Sequence, residues 1–239
     1  MIKRLFLLAL LIISSHLGQS QILISLIFGD KLNSEKIEFG LDGGLNFSQM
    51  SGLESGKTLT SFNLGFYFDF LIKNGWYFNT GVLVKSELGL ADLRENDVAF
   101  LDPTMVYSDS GSYKQVIRYF HIPANIKYRF KNNIYVKFGP QIALRTNAFL
   151  EFEGEQNNKT VVVKTDNRAL FNRFEFSLLG AVGYKLSKGE GMNIGVKYYY
   201  GLSNVFKDNT YQSKNSSFYA YVGIPIGKAK AEKARSEQE

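Results

Sequence analysis

No cysteine occurs in the 239 residues. A disulfide framework, a cysteine-held metal centre and a lipoprotein anchor are thereby excluded. Histidine is almost as scarce, at positions 16 and 121. No G-x-S-x-G, H-E-x-x-H or phosphate-loop pattern accompanies either of them. Proline occurs four times, so Pro-rich linkers are absent. No convincing amphipathic helix appears before the last residues, which leaves nothing to cover an apolar sheet face in the manner of a soluble α/β or α+β domain. Neither a cofactor nor a bound metal is expected. Carboxylates such as Glu95, Asp97 and Asp102 sit in expected loops at spacings that match no calcium loop.

Long apolar runs are also missing, with one exception at the start. "MIKRLFLLALLIISSHLGQSQ" places Lys3 and Arg4 before an apolar stretch from Leu5 to Ile13 and a small-residue approach to Gln21. This is the layout of a secretory leader, expected at 1–20 with cleavage after Ser20. A membrane-spanning helix is the competing reading. Ser14, Ser15, His16, Gln19 and Gln21 interrupt the about 20 apolar residues it needs. Export removes nucleic acid as a partner, although the formal charge of +6 would otherwise suggest it.

What the chain has is alternation, with 20 Phe, 14 Tyr and 22 Gly. In "FHIPANIKYRFKNNIYVKFGPQIALR" the even positions hold Phe120, Ile122, Ile126, Phe130, Ile134, Val136, Phe138 and Ile142. The odd positions hold His121, Lys127, Arg129, Lys137 and Arg145. A period of two over this length marks strands with one apolar and one polar face. The pattern recurs and predicts eight strands, at 36–47, 58–72, 76–88, the two halves of the quoted hairpin, 172–186, 192–202 and 216–226. Tight polar turns at 73–75, 131–133 and 187–191 alternate with longer connections near 48–57, 89–115, 148–171 and 203–215. The expected fold class is therefore all-β: a single eight-stranded antiparallel transmembrane β-barrel at 36–226, with short periplasmic turns and long extracellular loops. Residues 21–35 are read as an N-terminal periplasmic segment and 227–239 as a charged periplasmic tail. Outward aromatics gather near both ends, among them Phe70, Trp76, Phe78 and Phe130 at one and Phe62, Phe120, Phe174 and Phe218 at the other. Such girdles suit rings that prefer the headgroup level.

A barrel in lipid turns its apolar face outward, so the polar face becomes the lumen. The inward acids are expected to be Glu38, Asp42, Asp69, Glu87 and Glu175. The inward cations are expected to be Lys85, Lys127, Arg129, Lys137, Arg145, Arg173, Lys185 and Lys197. Counting back from the 73–75 turn sets Tyr67 opposite Gly81, with the ring over the glycine. Across the second hairpin Lys127 is expected beside Lys137, and Pro123 and Pro140 fall almost opposite each other, which predicts a local break.

"IEFGLDGGLNFS", "FHIPANIKYRF" and "IYVKFGPQIAL" resemble the PorT-like outer-membrane β-barrel domain of Bacteroidetes-type bacteria. The resemblance spans about 36–226 and rests on Gly43 and Gly44, Ile122 and Pro123, Lys127 and Tyr128, and Gly139 to Gln141. It implies the architecture and an outer-membrane location. Two classes of function stay open. One is an envelope structural or interaction protein that works through its long loops, with outer-membrane lipid and lipopolysaccharide around it and an envelope protein as possible partner. The other is a narrow pore or an accessory of a transport or secretion complex. A monomer without enzymatic activity is expected, and His121 is read as a lumen residue bonded to its neighbours.

Overall fold

The alternating segments are realised as staves. The computed structural model describes residues 36–54, 57–104, 111–156, 159–208 and 212–226; the expected leader, N-terminal segment and tail lie outside the described residues. The strands are β1 (Ile37–Met50), β2 (Lys57–Lys73), β3 (Trp76–Lys85), β4 (Glu87–Ala91) and β5 (Gly111–Arg129). They continue as β6 (Ile134–Gln156), β7 (Lys159–Asp166), β8 (Phe174–Lys185), β9 (Asn193–Gly201) and β10 (Asn215–Pro225). One helix, α1 (Glu95–Leu101), lies between β4 and β5.

Every pairing is antiparallel, and β10 returns to β1 with Gly40 opposite Pro225 and Met50 opposite Asn215. The ring therefore reads β1, β2, β3, β5, β6, β8, β9, β10 and back to β1. These are the eight expected staves. β4 prolongs the third stave beyond an interruption at Ser86, and β7 is an added strand on the far half of β6. Closure leaves the ring without an open edge, the condition for crossing lipid with strands. Outward side chains such as Phe62, Phe78, Phe138, Phe176 and Phe218 are exposed, while Asp69, Asn79, Lys127 and Glu175 are buried.

The short turns obey local backbone chemistry. Lys73 pairs with Trp76 across a two-residue turn in which Asn74 and Gly75 both take positive φ, the mirror-image geometry that matches strand twist. In the next hairpin Pro123 pairs with Gln141 and Ile126 with Phe138, in one unbroken register, with Ala124 and Asn125 left out of the ladder opposite Gly139 and Pro140. The two prolines thus open a gap without slipping the pairing, because neither can donate a ladder hydrogen bond.

Three sequence expectations change. Strand three does not run straight to 88. Gly65 pairs with Leu83 and Leu64 with Lys85, so Val84 is an extra residue that reverses the facing of Lys85 and the residues after it. The expected loop at 148–171 is mostly strand: β6 continues to Gln156 and returns as β7. The Tyr67 ring lies against Gly40 and Gly223 instead of Gly81, although Tyr67 does pair with Gly81. A Cβ on Gly40 would come within 2.5 Å of that ring.

Candidate functional site

Two layers fill the barrel. Beside the short turns the lumen is polar. Asp69 accepts from the Lys127 ammonium at 2.5 Å and from Asn79 at 2.7 Å. Lys185 donates to both oxygens of Glu38, which also accepts from the Tyr67 hydroxyl at 3.0 Å, and Asn193 donates to that hydroxyl at 2.9 Å. One step along the axis Lys197 donates to Asp42, and the Tyr219 hydroxyl completes that carboxylate at 2.8 Å. The Tyr135 and Tyr221 hydroxyls meet at 2.7 Å across the lumen. These rings double as cation platforms, with the Lys127 ammonium 4.3 Å from the Tyr135 ring centre and that of Lys197 4.2 Å from Tyr221. An ion removed from water needs a counter-charge and further hydrogen bonds, and each of these three pairs has both.

Two buried charges fall outside that pairing. Lys137 pairs with Lys127 in the strand register, as expected, and has no carboxylate within ion-pair distance among the described residues. Its ammonium lies 4.9 Å from the Tyr221 ring centre and borders two voids, one lined by Asp42, Asn79, Asn125 and Gln141 and the other by Asp69, Asn79 and Tyr135, each with room for roughly a single water. Glu175 is held by neutral donors, the Tyr199 hydroxyl at 2.5 Å and the Asn215 amide at 2.8 Å. His121 is buried near it. Its Nδ1 accepts from the Gln141 amide at 2.8 Å, which places the proton of a neutral ring on Nε2, an atom without a partner among the described residues. The Tyr199 ring stands edge-on to the imidazole at 5.4 Å.

Towards the long-loop end the filling turns apolar. Leu88 and Leu90 of β4, Val98 and Leu101 of α1, Ile117 of β5 and Leu150 of β6 pack with Phe171 and Phe206. The last two stack at 5.1 Å and join in an isolated bridge. β4 reaches this plug by stepping inside the barrel. Asn46 and Ser61 donate to the Glu87 carbonyl at 2.9 and 3.0 Å, and the Ser48 hydroxyl meets the Gly89 backbone on both sides. Side chains on the inner face of β1 and β2 thus tie the interrupted stave across the mouth.

The thirteen residues assigned to the lumen from sequence separate into groups. Glu38, Asp42, Asp69, Lys127, Lys137, Glu175, Lys185 and Lys197 are buried inside. Arg129 sits half-buried at the turn end, donating to the Gly189 carbonyl at 3.1 Å. The others correct the expectation. Lys85 is exposed, and Glu87 pairs with the exposed Arg118 at 2.8 Å, because the Val84 bulge reverses their facing. Arg173 is exposed at the start of β8. Arg145 is half-buried in the register opposite the buried Tyr119, its Nε donating to the Asn172 carbonyl at 3.1 Å, just before a second bulge at Thr146 beyond which the ladder resumes one residue out of step. Sequence reasoning also passed over Tyr135 and the whole apolar plug. The alternation "LEFEGE" after Ala148 was the available signal for the strand that carries part of that plug.

The chain is similar to several solved proteins and to one protein family. The structure of Ail, the attachment invasion locus protein of Yersinia pestis, aligns at 12% identity over 80% of this chain and 99% of Ail, with a TM-score of 0.43. Neisserial surface protein A aligns at 12% over 80% and 99%, with a TM-score of 0.40. OprG from Pseudomonas aeruginosa aligns at 10% over 80% and 93%, with a TM-score of 0.33. Similarity at this level carries no inference about activity. No curated protein sequence matches. Residues 19–207 match the family described as outer membrane protein beta-barrel domain, which is most of the chain, and the protein belongs to that family of outer-membrane β-barrels.

Proposed function

We propose that this outer-membrane barrel is a closed, non-conducting envelope protein without enzymatic activity, whose long-loop end is its working surface for lipid and an envelope partner. The observation that carries the reading is double closure: a lumen cross-linked by three buried ion pairs, surmounted by an apolar plug. Eight strands enclose an interior just wide enough for side chains. The loop end is built as a folded surface, since α1, β4 and the β5–β6–β7 extension pack on one core. Within the family we read the chain as PorT-like on Gly43, Gly44, Ile122, Pro123 and Gly139 to Gln141, as a monomer, and as exported by residues 1–20. Edman sequencing of the mature protein is expected to begin at Gln21.

Purified protein in a planar bilayer tests the closed reading. Silence, or small anion-favouring flickers past the surplus Lys137, is expected. Large, stable, solute-permeable openings would favour a narrow pore or transport accessory in its place.

A further inference from the structure

The two ends of the barrel handle surface charge differently. Among the described residues, the ion pairs outside the lumen all stand at the long-loop end: Lys57 with Asp92, Lys114 and Lys164 with Glu151, Arg118 with Glu87, and Arg168 with Asp166. At the other end each short turn carries an exposed lysine, Lys73, Lys131 and Lys188, and Lys36 is exposed at the start of β1. Lys73, Lys131 and Lys188 have no ion pair among the described residues, and the one exposed acid described at this end is Glu190. Hydrogen bonds lace the turns together at one level. The Arg129 amide donates to the Gly75 carbonyl at 2.8 Å, the Lys185 amide to the Asn133 carbonyl at 3.0 Å and the Arg129 guanidinium to the Gly189 carbonyl at 3.1 Å. The Leu71 amide donates to the Lys36 carbonyl at 2.7 Å, which sets the start of β1 beside the end of β2. The lysines therefore form one layer distributed around the ring, at the start of β1 and at the β2–β3, β5–β6 and β8–β9 turns.

Turns this short cannot lift the layer away from the membrane. Lys73 directly follows the exposed Ile72 and Lys131 the exposed Phe130, while Trp76 and Tyr128 pack between these turns with ring centres 4.7 Å apart. Such rings settle at the headgroup level, here that of the periplasmic leaflet, where the lipid is glycerophospholipid. A lysine ammonium is a compact point charge on a flexible stem, so it meets headgroup phosphate without a fixed geometry. We propose that Lys36, Lys73, Lys131 and Lys188 form a cationic collar that gathers anionic glycerophospholipid of the periplasmic leaflet around the short-turn end. The inference rests on the outer-membrane placement with the short turns periplasmic and is independent of whether the lumen conducts.

Trp76 is the single tryptophan of the chain and pairs with Lys73, so its fluorescence reports on the lipid beside the collar. The full mature chain is folded into vesicles of equimolar phosphatidylglycerol and phosphatidylcholine, with brominated chains on one lipid or on the other, and quenching of Trp76 reads which lipid is its neighbour. The wild type is expected to favour phosphatidylglycerol about fivefold, the effect of one lysine near a lipid surface. In about 1 M salt, where charges are screened within about 3 Å, the preference is expected to fall towards unity. Inorganic phosphate at matched ionic strength is expected to leave it in place. Lys73→Gln with Lys131→Gln is expected to abolish it, and Lys85→Gln with Lys159→Gln, which removes the same charge at the opposite end, to keep it. Because the two lipids are compared within each variant, a change in the surroundings of Trp76 cancels. Equal quenching by the two lipids in wild type overturns the proposal and leaves the lysines to an acidic periplasmic partner. Displacement by inorganic phosphate, an unchanged preference in the turn-end variant, or its loss in the loop-end variant overturns it as well. Should the turn-end variant not fold, the salt series on wild type and the single Lys73→Gln decide the matter.

Discussion

At the scale of single residues, the lumen makes opposite demands on paired and unpaired groups. Asp69→Asn leaves the buried Lys127 ammonium with a neutral amide, and losing one partner of a buried pair costs about 3–5 kcal/mol. Asp69→Asn with Lys127→Met removes both charges and is expected to recover most of that loss. Urea unfolding in lipid vesicles measures both, and a single variant within about 1 kcal/mol of wild type would contradict the pairing. His121 illustrates the reverse case. Its ring bonds one amide through Nδ1 and stands against two tyrosine rings, with no metal-ligand cluster among the described residues. His121→Gln keeps an acceptor for Gln141 and is expected to reproduce wild-type behaviour in cells. A defect matching deletion of the gene would instead point to chemistry at this position.

At the scale of elements, the β6–β7 extension stands above the apolar band and is latched by charge. The Glu151 carboxylate accepts from Lys114 at 2.8 Å and from Lys164 at 2.9 Å. Burial pushes its pKa up, but hydrogen bonds and charge from the two lysines outweigh burial and hold it below the usual carboxylate value. A folded value below the unfolded one means stabilisation that is complete above the ordinary value, about 4.3, and lost as pH falls through the folded value. Hydrogen exchange in Lys159–Asp166 is therefore expected to stay slow from pH 7 to 5 and to accelerate below the carboxylate range. Glu151→Gln should accelerate it at every pH, and pH-independent exchange in wild type would dismiss the latch. These elements also mark where the sequence stopped being legible. The eight staves and the pairs Tyr67 with Gly81 and Lys127 with Lys137 follow from strict period-two alternation and the 73–75 and 131–133 turns. Lys85 and Glu87 face outward because one extra residue at Val84 inverts a face, and composition does not announce a bulge. Arg145 and Arg173 keep the inward register, opposite Tyr119 and each other, but stand at the loop end where side chains are no longer enclosed. The plug escaped notice for a different reason. The eight side chains named in it come from six separate segments, each with too few apolar residues to stand out alone.

At the scale of the whole molecule, the plug and the ionic lumen close the barrel in series. Phe171→Ala removes a fully buried ring from the plug at an expected cost of about 3–5 kcal/mol. The ionic layer remains, so bilayer recordings of that variant are expected to stay free of stable openings. Sustained conductance would show that the plug alone seals the protein. The lumen pairs also have a temporal side. Glu38 and Lys185 are separated by 147 positions in the chain, and Asp42 and Lys197 by 155. Neither pair can form until the first stave meets the last, so a partly assembled sheet presents bare ammonium and carboxylate groups to hydrocarbon. The penalty is relieved only at the final docking of β10 on β1. Insertion should accordingly proceed with no long-lived open intermediate in the bilayer, the electrostatics of the interior acting as a late, all-or-none checkpoint on maturation.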